Sequence, residues 1–218
     1  MAEIDLLRAL PRTKRNIQKR KDAKDPAVVA ISKQYGEMYF DGPRDYGYGG
    51  YRYDGRWVPV ARDIVAHFGL KPGMRALDVG CAKGFLVKDL MQVCPGLEVF
   101  GLDVSLYALM NCEPEVVGRL HLGTAEKLPF PDNSFDCVLS LNTVHNFPRP
   151  RAIKVMQEIQ RLSGGKAFVQ VDSYYTPEQK EIFESWVLTA EFHDYPDEWK
   201  KLFAEAGYTG DYYWTIID

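Results

Sequence analysis

From residue 75 onward the chain alternates short apolar runs with helical patterns, and this alternation restricts the fold more than any other feature. RALDV reads as a strand. Residues 84–93 place Phe85, Leu86, Leu90 and Val93 at helical spacing. LEVFGLD reads as a second strand, residues 105–112 as a short helix, RLHLGT as a third strand and DCVLSLN as a fourth. The fourth is richly apolar, as a strand covered on both faces should be. Residues 151–162 carry Ile153, Met156, Ile159 and Leu162 on one helix, and KAFVQVD is a fifth strand. TPEQ opens another helix: Thr176 caps, Pro177 fits the first helical position and Gln179 completes a capping box. DEWKKLFAEAG is a further helix stopped by Gly207, and DYYWTII is a final strand. Strand–helix alternation at this spacing implies right-handed crossovers. The expected fold is therefore α/β: a Rossmann-like, doubly wound, mostly parallel sheet with helices on both faces.

Ahead of this pattern lies an N-terminal helical and loop extension, residues 1–57, before the main domain at 58–218. Ile4, Leu7 and Leu10 suggest a short helical stripe ended by Pro11. A basic run follows: Arg12, Lys14, Arg15, Lys19, Arg20, Lys21 and Lys24. It reads either as a solvated arm or as a contact for an anionic partner. Residues 26–40 look helical. Residues 45–57, DYGYGGYRYDGRW, combine four tyrosines and a tryptophan with a glycine-rich backbone. Residues 58–68 place Val60, Ile64 and Phe68 on one helix face, with Gly69 as the stop.

Composition excludes more than it assigns. The net charge of −3 does not call for nucleic acid or an anionic membrane. No apolar run approaches a membrane span, and the N-terminus has no signal-peptide core. A cytoplasmic protein is expected. The four cysteines, Cys81, Cys94, Cys112 and Cys137, are scattered without a CxxC pair, so neither a metal nor a disulfide is expected.

In such sheets, ligands bind at the carboxyl ends of the strands. The first such end is LDVGCAKGF, residues 77–85, where Gly80 and Gly84 permit a sharp turn and close ligand approach. Ala82 occupies the middle slot, so a pyrophosphate fingerprint, and with it a dehydrogenase, fits poorly. The second end is Asp103, which suits a ribose because a carboxylate accepts from two vicinal hydroxyls. It could equally cap the helix that follows, a role open to Ser105 as well. The third region is GTAEKLPFPDNSFDCVLSLN, residues 123–142.

These motifs, with AEAGY before the last strand, resemble the class I S-adenosylmethionine-dependent methyltransferases. The resemblance is to the small-molecule group with a ubiquinone/menaquinone-methyltransferase-like core, over about two-thirds of the chain. It implies roles at matching positions. The turn Gly80–Cys81–Ala82 would pass under the methionine part of S-adenosylmethionine, its backbone providing the polar contacts and Asp78 orienting it. Asp103 would bind the ribose, with Val104 beside the adenine. Ala125 and Glu126 would meet the adenine edge. Asn142 and Thr143 would lie beside the sulfonium. The resemblance also implies a terminal hairpin, which here is reduced or built from residues 186–193.

The resemblance does not fix the acceptor. His145 and Asp172, after the fourth and fifth strands, are the candidate bases, should the acceptor need to lose a proton. Asn146, Tyr174 and His193 are candidate substrate contacts. In this fold, N-terminal segments commonly cross the open edge of the sheet. Tyr48, Tyr51, Arg52, Tyr53, Arg56 and Trp57 would then form a mobile cover whose aromatic walls exclude water and whose arginines pair an anion. The leading function is methyl transfer to oxygen or nitrogen of a small polar metabolite, with a sugar or sugar nucleotide suiting such a wall. The alternatives are a protein or RNA methyltransferase guided by the basic arm, and a catalytically silent cofactor-binding subunit.

Overall fold

The computed structural model describes residues 1–11 and 15–217. Six parallel strands form one sheet in the order β3-β2-β1-β4-β5-β6. They are β1 (Arg75–Val79), β2 (Glu98–Asp103), β3 (Leu120–Leu122), β4 (Cys137–Leu141), β5 (Ala167–Ser173) and β6 (Asp211–Ile216). The order reverses between β1 and β4. This places a crevice beyond the carboxyl ends of these two strands, where open α/β sheets bind ligands.

The period-2 pattern of the strands explains the two layers. Leu77, Val79, Val138, Val169 and Val171 face one side. There they meet α7 (Arg149–Ser163) and α9 (Pro196–Glu205) through Met156, Ile159, Trp199 and Leu202. Ala76, Val99, Cys137, Leu139 and Phe168 face the other side. They meet α4 (Val58–Phe68) and α5 (Phe85–Val93) through Val60, Ile64, Leu86 and Leu90. Each fully buried aliphatic chain contributes about 1.5–3 kcal/mol, so both faces must be covered for the sheet to hold. Gly69 ends α4 in the left-handed conformation, as the sequence implies.

The ends of the chain depart from the sequence reading. Residues 4–10 form no helix. Ile4 N donates to Tyr212 O (2.9 Å) and Tyr212 N donates to Ala2 O (3.0 Å), so residues 2–4 run along the outer edge of β6. An exposed edge offers a row of unpaired backbone groups, and here the N-terminus takes them. The apolar stripe is nonetheless used: Leu6 is buried in the same cluster as Val60. Residues 187–193 form no strand, and the sheet finishes at β6, parallel to β5.

The extension is folded onto the domain. Arg12 and Lys14 of the basic run lie outside the described residues. The rest of the run enters α1 (Ile17–Ala23), which packs on α8 (Pro177–Trp186), with Ile17 joining Tyr174, Phe183 and Ile217. The helical stretch expected over 26–40 is two pieces, α2 (Pro26–Ser32) and α3 (Glu37–Phe40). Tyr35 at φ +50° and Gly36 separate them. Between β2 and β3 lies α6 (Leu106–Met110). Thr176 caps α8 through Gln179 N, while Gln179 Oε1 reaches back to Tyr175 N.

Candidate active site

The turn after β1 is held by its own backbone. Gly80 N and Cys81 N both donate to Leu102 O (2.7 and 3.2 Å), and Gly84 N donates to Cys81 O (2.9 Å). Ala82 N donates to Asp103 Oδ2 (2.8 Å). These N–H groups are spent inside the protein. What the turn offers a ligand is therefore carbonyl oxygen, suited to an ammonium group, and close approach. Gly80 sits at φ +87°, and a Cβ there would lie 1.9 Å from Thr143 Oγ1. Only glycine fits. Ala82 adopts φ +50°, where an alanine is strained by roughly 1–2 kcal/mol.

Asp103, not Asp78, orients this turn. Its second oxygen accepts from Ser105 N (2.8 Å), while Ser105 Oγ caps α6 by accepting from Ala108 N (3.0 Å). The capping alternative for Asp103 is thereby decided: serine caps, and aspartate braces the turn at the cavity wall. Burial pushes the Asp103 carboxyl up, and the N–H bonds of Ser105, Ala82 and Val104 oppose that shift. Asp78 is buried with no protein hydrogen bond to its carboxylate among the described residues. Burial, aided by the Asp103 charge, pushes it up to about 7.

Over this turn lies a cavity of about 340 Å³, lined by Gly80, Ala82, Asp103, Val104, Ala125, Asn142, Thr143 and Asn146. Cys81 points away into the core, toward Gly101. Gly84 heads α5 at φ +76° against Val116 and Leu120. Glu126 departs from its expected role. Arg151 Nε and Nη2 grip its carboxylate in two bonds, so the arginine lines the cavity mouth in its place. Thr124, Phe147 and Arg151 complete this end of the cavity.

Two further chambers adjoin the cavity. One, of about 250 Å³, is lined by His145, Asp172, Tyr39 and Trp186. The other, of about 630 Å³, is lined by Tyr51, Arg52, Arg56 and Trp57. Tyr48 and Asn142 line all three spaces and mark their junction. Asn142 adopts φ +53°, fixed by its N–H donating to Gln170 Oε1 (2.9 Å) and Gln170 O (3.1 Å). Its carbonyl accepts from Asn146 Nδ2 (3.0 Å).

His145 and Asp172, from the ends of β4 and β5, lie side by side in the smaller chamber. Asp172 N donates to His145 Nδ1 (3.3 Å), and the Asp172 carboxylate lies 3.8 Å from the same nitrogen. A ring nitrogen that accepts is unprotonated, which leaves the proton on Nε2. Burial lowers the histidine pKa against the opposing pull of Asp172, so the imidazole is neutral at neutral pH. Burial raises the Asp172 carboxyl in turn.

The Gly/Tyr segment is packed over the cofactor turn. Tyr48 stacks on Phe40 (5.8 Å between ring centres) and Tyr51 stacks on Phe85 (4.6 Å). Below them, Asp41 accepts from Lys83 Nζ (2.6 and 2.9 Å), Tyr107 OH (2.8 Å) and Tyr51 N (3.1 Å). Lys83 belongs to the glycine turn, so this buried ion pair ties cover to cofactor site. Nothing local in the sequence joins Asp41 to Lys83. Three expected substrate contacts lie outside the chambers. Tyr53 OH donates to Asp89 Oδ1 (2.6 Å) on α5. Tyr174 OH is bonded to His193 Nδ1 (3.1 Å), and both rings pack on Phe183, because the loop after α8 folds back as core. Arg56 is already paired with Asp54.

Among the described residues no cluster of three or more acidic, histidine or cysteine side chains could hold a metal, and no helix is long and apolar enough to cross a membrane. The sheet order, the glycine turn and the acid ending β2 are those of a Rossmann-like methyltransferase fold. Comparison with known proteins agrees, and residues 77–169 match the model of the methyltransferase domain family. A demethylmenaquinone methyltransferase of Symbiobacterium thermophilum is 34% identical over 131 residues, 55% of this chain and 50% of that protein. The chain thus matches about half the length of that relative. Two solved structures share the fold. One is a chain of the complex between the Haloferax volcanii Trm112 methyltransferase activator and a methyltransferase (TM-score 0.56, 22% identity, 69% of this chain and 67% of that one). The other is phosphoethanolamine N-methyltransferase 2 of Haemonchus contortus, in complex with phosphomonomethylethanolamine and S-adenosylhomocysteine (TM-score 0.54, 19% identity, 89% of this chain and 44% of that one).

Proposed function

We propose that this chain transfers the methyl group of S-adenosylmethionine to an oxygen or nitrogen of a small polar acceptor. The observation that carries the reading is the junction at Tyr48 and Asn142, where the cofactor cavity adjoins two partly open chambers. The residues fit the cofactor. The Gly80 cradle has no room for a Cβ, its carbonyls suit the ammonium, and Asp103 retains lone pairs for the ribose hydroxyls. Val104, 58% exposed, supplies an apolar face for the adenine. Held there, S-adenosylmethionine would supply an electrophilic methyl for an acceptor lone pair, with the carbon–sulfur bonding pair returning to sulfur as S-adenosylhomocysteine.

The protein's part is to orient and to exclude water. Tyr48, Tyr39 and Asn142 wall the junction, and the Asp41–Lys83 pair fixes the cover above it. His145 Nδ1 is taken by Asp172 N and its Nε2 carries the proton, so it can donate to an acceptor, while the Asp172 carboxylate in the same chamber is the group with lone pairs free to take an acceptor proton where one must leave. The mixed aromatic and arginine lining of the chambers suits a sugar or a sugar nucleotide, which remains the favoured metabolite class. An RNA-guided role draws less support, because α1 of the basic segment packs against α8 with Arg20 buried.

The test is transfer of label from methyl-labelled S-adenosylmethionine into fractionated small-molecule extracts. We expect label in a low-molecular-weight fraction with the wild type and none with Gly80→Val. Label confined to protein or RNA, or cofactor binding without any transfer, would overturn this function.

A further inference from the structure

Three arginines from separate stretches of chain converge on one tryptophan. The guanidinium carbons of Arg20, Arg44 and Arg15 lie 4.8, 5.2 and 5.7 Å from the centre of the Trp186 ring. Arg15 and Arg20 come from the α1 region, Arg44 from the turn before the Gly/Tyr segment and Trp186 from the end of α8. All four line both acceptor chambers, alongside Tyr48 and Asn142.

None of the three guanidiniums has a carboxylate within ion-pair distance among the described residues. Arg20 is 5% exposed, and its donors go to backbone carbonyls of Asp45 (2.7 Å) and Gly47 (3.4 Å). Arg44 donates to Gly47 O as well. The acids whose charges reach the group are Asp45, which lines the larger chamber and acts on Arg20, and Asp172, which lines the smaller one and interacts with Arg15. His145, Tyr39 and Tyr48 also face these spaces and are neutral at neutral pH. Burial, and then repulsion from a neighbouring guanidinium (Arg44 on Arg20, Arg15 on Arg44), disfavour the charged forms of Arg20 and Arg44. A tryptophan face and a few carbonyls offset part of that cost. A buried cation such as Arg20 without an anion is otherwise expensive, and two further guanidiniums beside it, Arg15 half-buried and Arg44 exposed, add to the expense.

We propose that this cluster binds a phosphate monoester carried by the acceptor, so that the substrate is a phosphorylated small molecule whose nucleophile reaches the Tyr48–Asn142 junction. This rests on the methyl-transfer reading for its orientation, but the anion site itself does not. A dianion matches three guanidiniums better than a single carboxylate, and guanidinium forks address several phosphate oxygens at once. The arginines expected from sequence to do this, Arg52 and Arg56, are less suited, since Arg56 is already neutralised by Asp54.

The test is calorimetric titration of the full chain with inorganic phosphate, with acetate and, separately, with S-adenosylhomocysteine. The variants are wild type, Arg15→Gln/Arg44→Gln and, as a second pair, Arg15→Lys/Arg44→Lys, with circular dichroism to confirm folding. Phosphate should bind the wild type and weaken at least about tenfold in the glutamine variant (about 1.4 kcal/mol). The lysine variant should recover part of the loss, and acetate should bind at least about tenfold more weakly than phosphate. S-adenosylhomocysteine should bind all three alike. Phosphate binding that is absent, or equal in wild type and glutamine variant, overturns the site. Acetate binding as tightly as phosphate overturns the phosphate assignment. Loss of S-adenosylhomocysteine binding in the wild type with phosphate binding intact would sink the methyltransferase reading and leave the anion site standing.

Discussion

The cofactor cavity takes its floor from Gly80 and Ala82 of one short turn, braced by Asp103 and closed by Asn142 and Thr143. The acceptor chambers draw on Arg15, Arg44, Tyr48, His145, Asp172 and Trp186, which share no local segment. The first is specified by backbone geometry, and almost any side-chain bulk at its centre is forbidden. The second is specified by long-range packing of the N-terminal extension on α8 and the sheet edge. The cofactor side should therefore break sharply on single substitutions, while the acceptor side should change selectivity and leave cofactor binding intact.

The largest effect is expected at Gly80. Gly80→Ala forces a Cβ into Thr143 at a left-handed φ, and should cost about 3 kcal/mol of stability, read by urea unfolding. S-adenosylhomocysteine affinity should fall at least about a hundredfold (about 2.7 kcal/mol). Next is the tie between the two regions. Lys83→Met leaves the half-buried Asp41 carboxylate unpaired and should cost about 2–3 kcal/mol. Hydrogen exchange should quicken across residues 37–51, with β4 and β5 unchanged. If the whole domain loosens equally, the cover is not a separable layer.

Asp78 gives a pH signature confined to the cofactor side. Its folded pKa, about 7, is above the ordinary carboxylate value, so the unliganded protein pays for its charge once ionised. Stability should decline as pH rises from about 4 to about 7, and Asp78→Asn should remove that slope, gaining about 1–3 kcal/mol above pH 7. Binding of S-adenosylhomocysteine, whose ammonium favours the ionised carboxylate, should release a proton below pH 7 in the wild type and none in the variant. The smallest effect concerns Ala82. Relief of its left-handed strain in Ala82→Gly, less the entropy of an added glycine, should stabilise by about 0.5 kcal/mol.

The same contrast governs what the sequence disclosed. The strands β1 to β6 and the helices between them follow from apolar periods of 2 and 3.6, because each is buried on the face its own pattern marks. Gly80, Asp103 and Asn142 were legible because a strand end fixes where the next residue goes. The period at Ile4, Leu7 and Leu10 reported burial correctly but not backbone partner, since pairing with Tyr212 depends on where a distant edge lies. Glu126 read as a ligand contact because its captor, Arg151, comes a helix later. Tyr53, Tyr174 and His193 have the right chemistry for a substrate wall, and only tertiary packing sends them to Asp89 and Phe183. Arg15 and Arg20 read as part of either a solvated arm or an anion contact, and their convergence with Arg44 on Trp186 is likewise set by tertiary packing.

The most direct test of the whole account is calorimetric titration with S-adenosylhomocysteine on wild type and Asp103→Ala. Asp103 both lines the cavity and holds the turn through Ala82 N, so the account predicts binding by the wild type and at least about tenfold weaker binding by the variant (about 1.4 kcal/mol). No binding by the wild type, or equal binding by the two proteins, would contradict it.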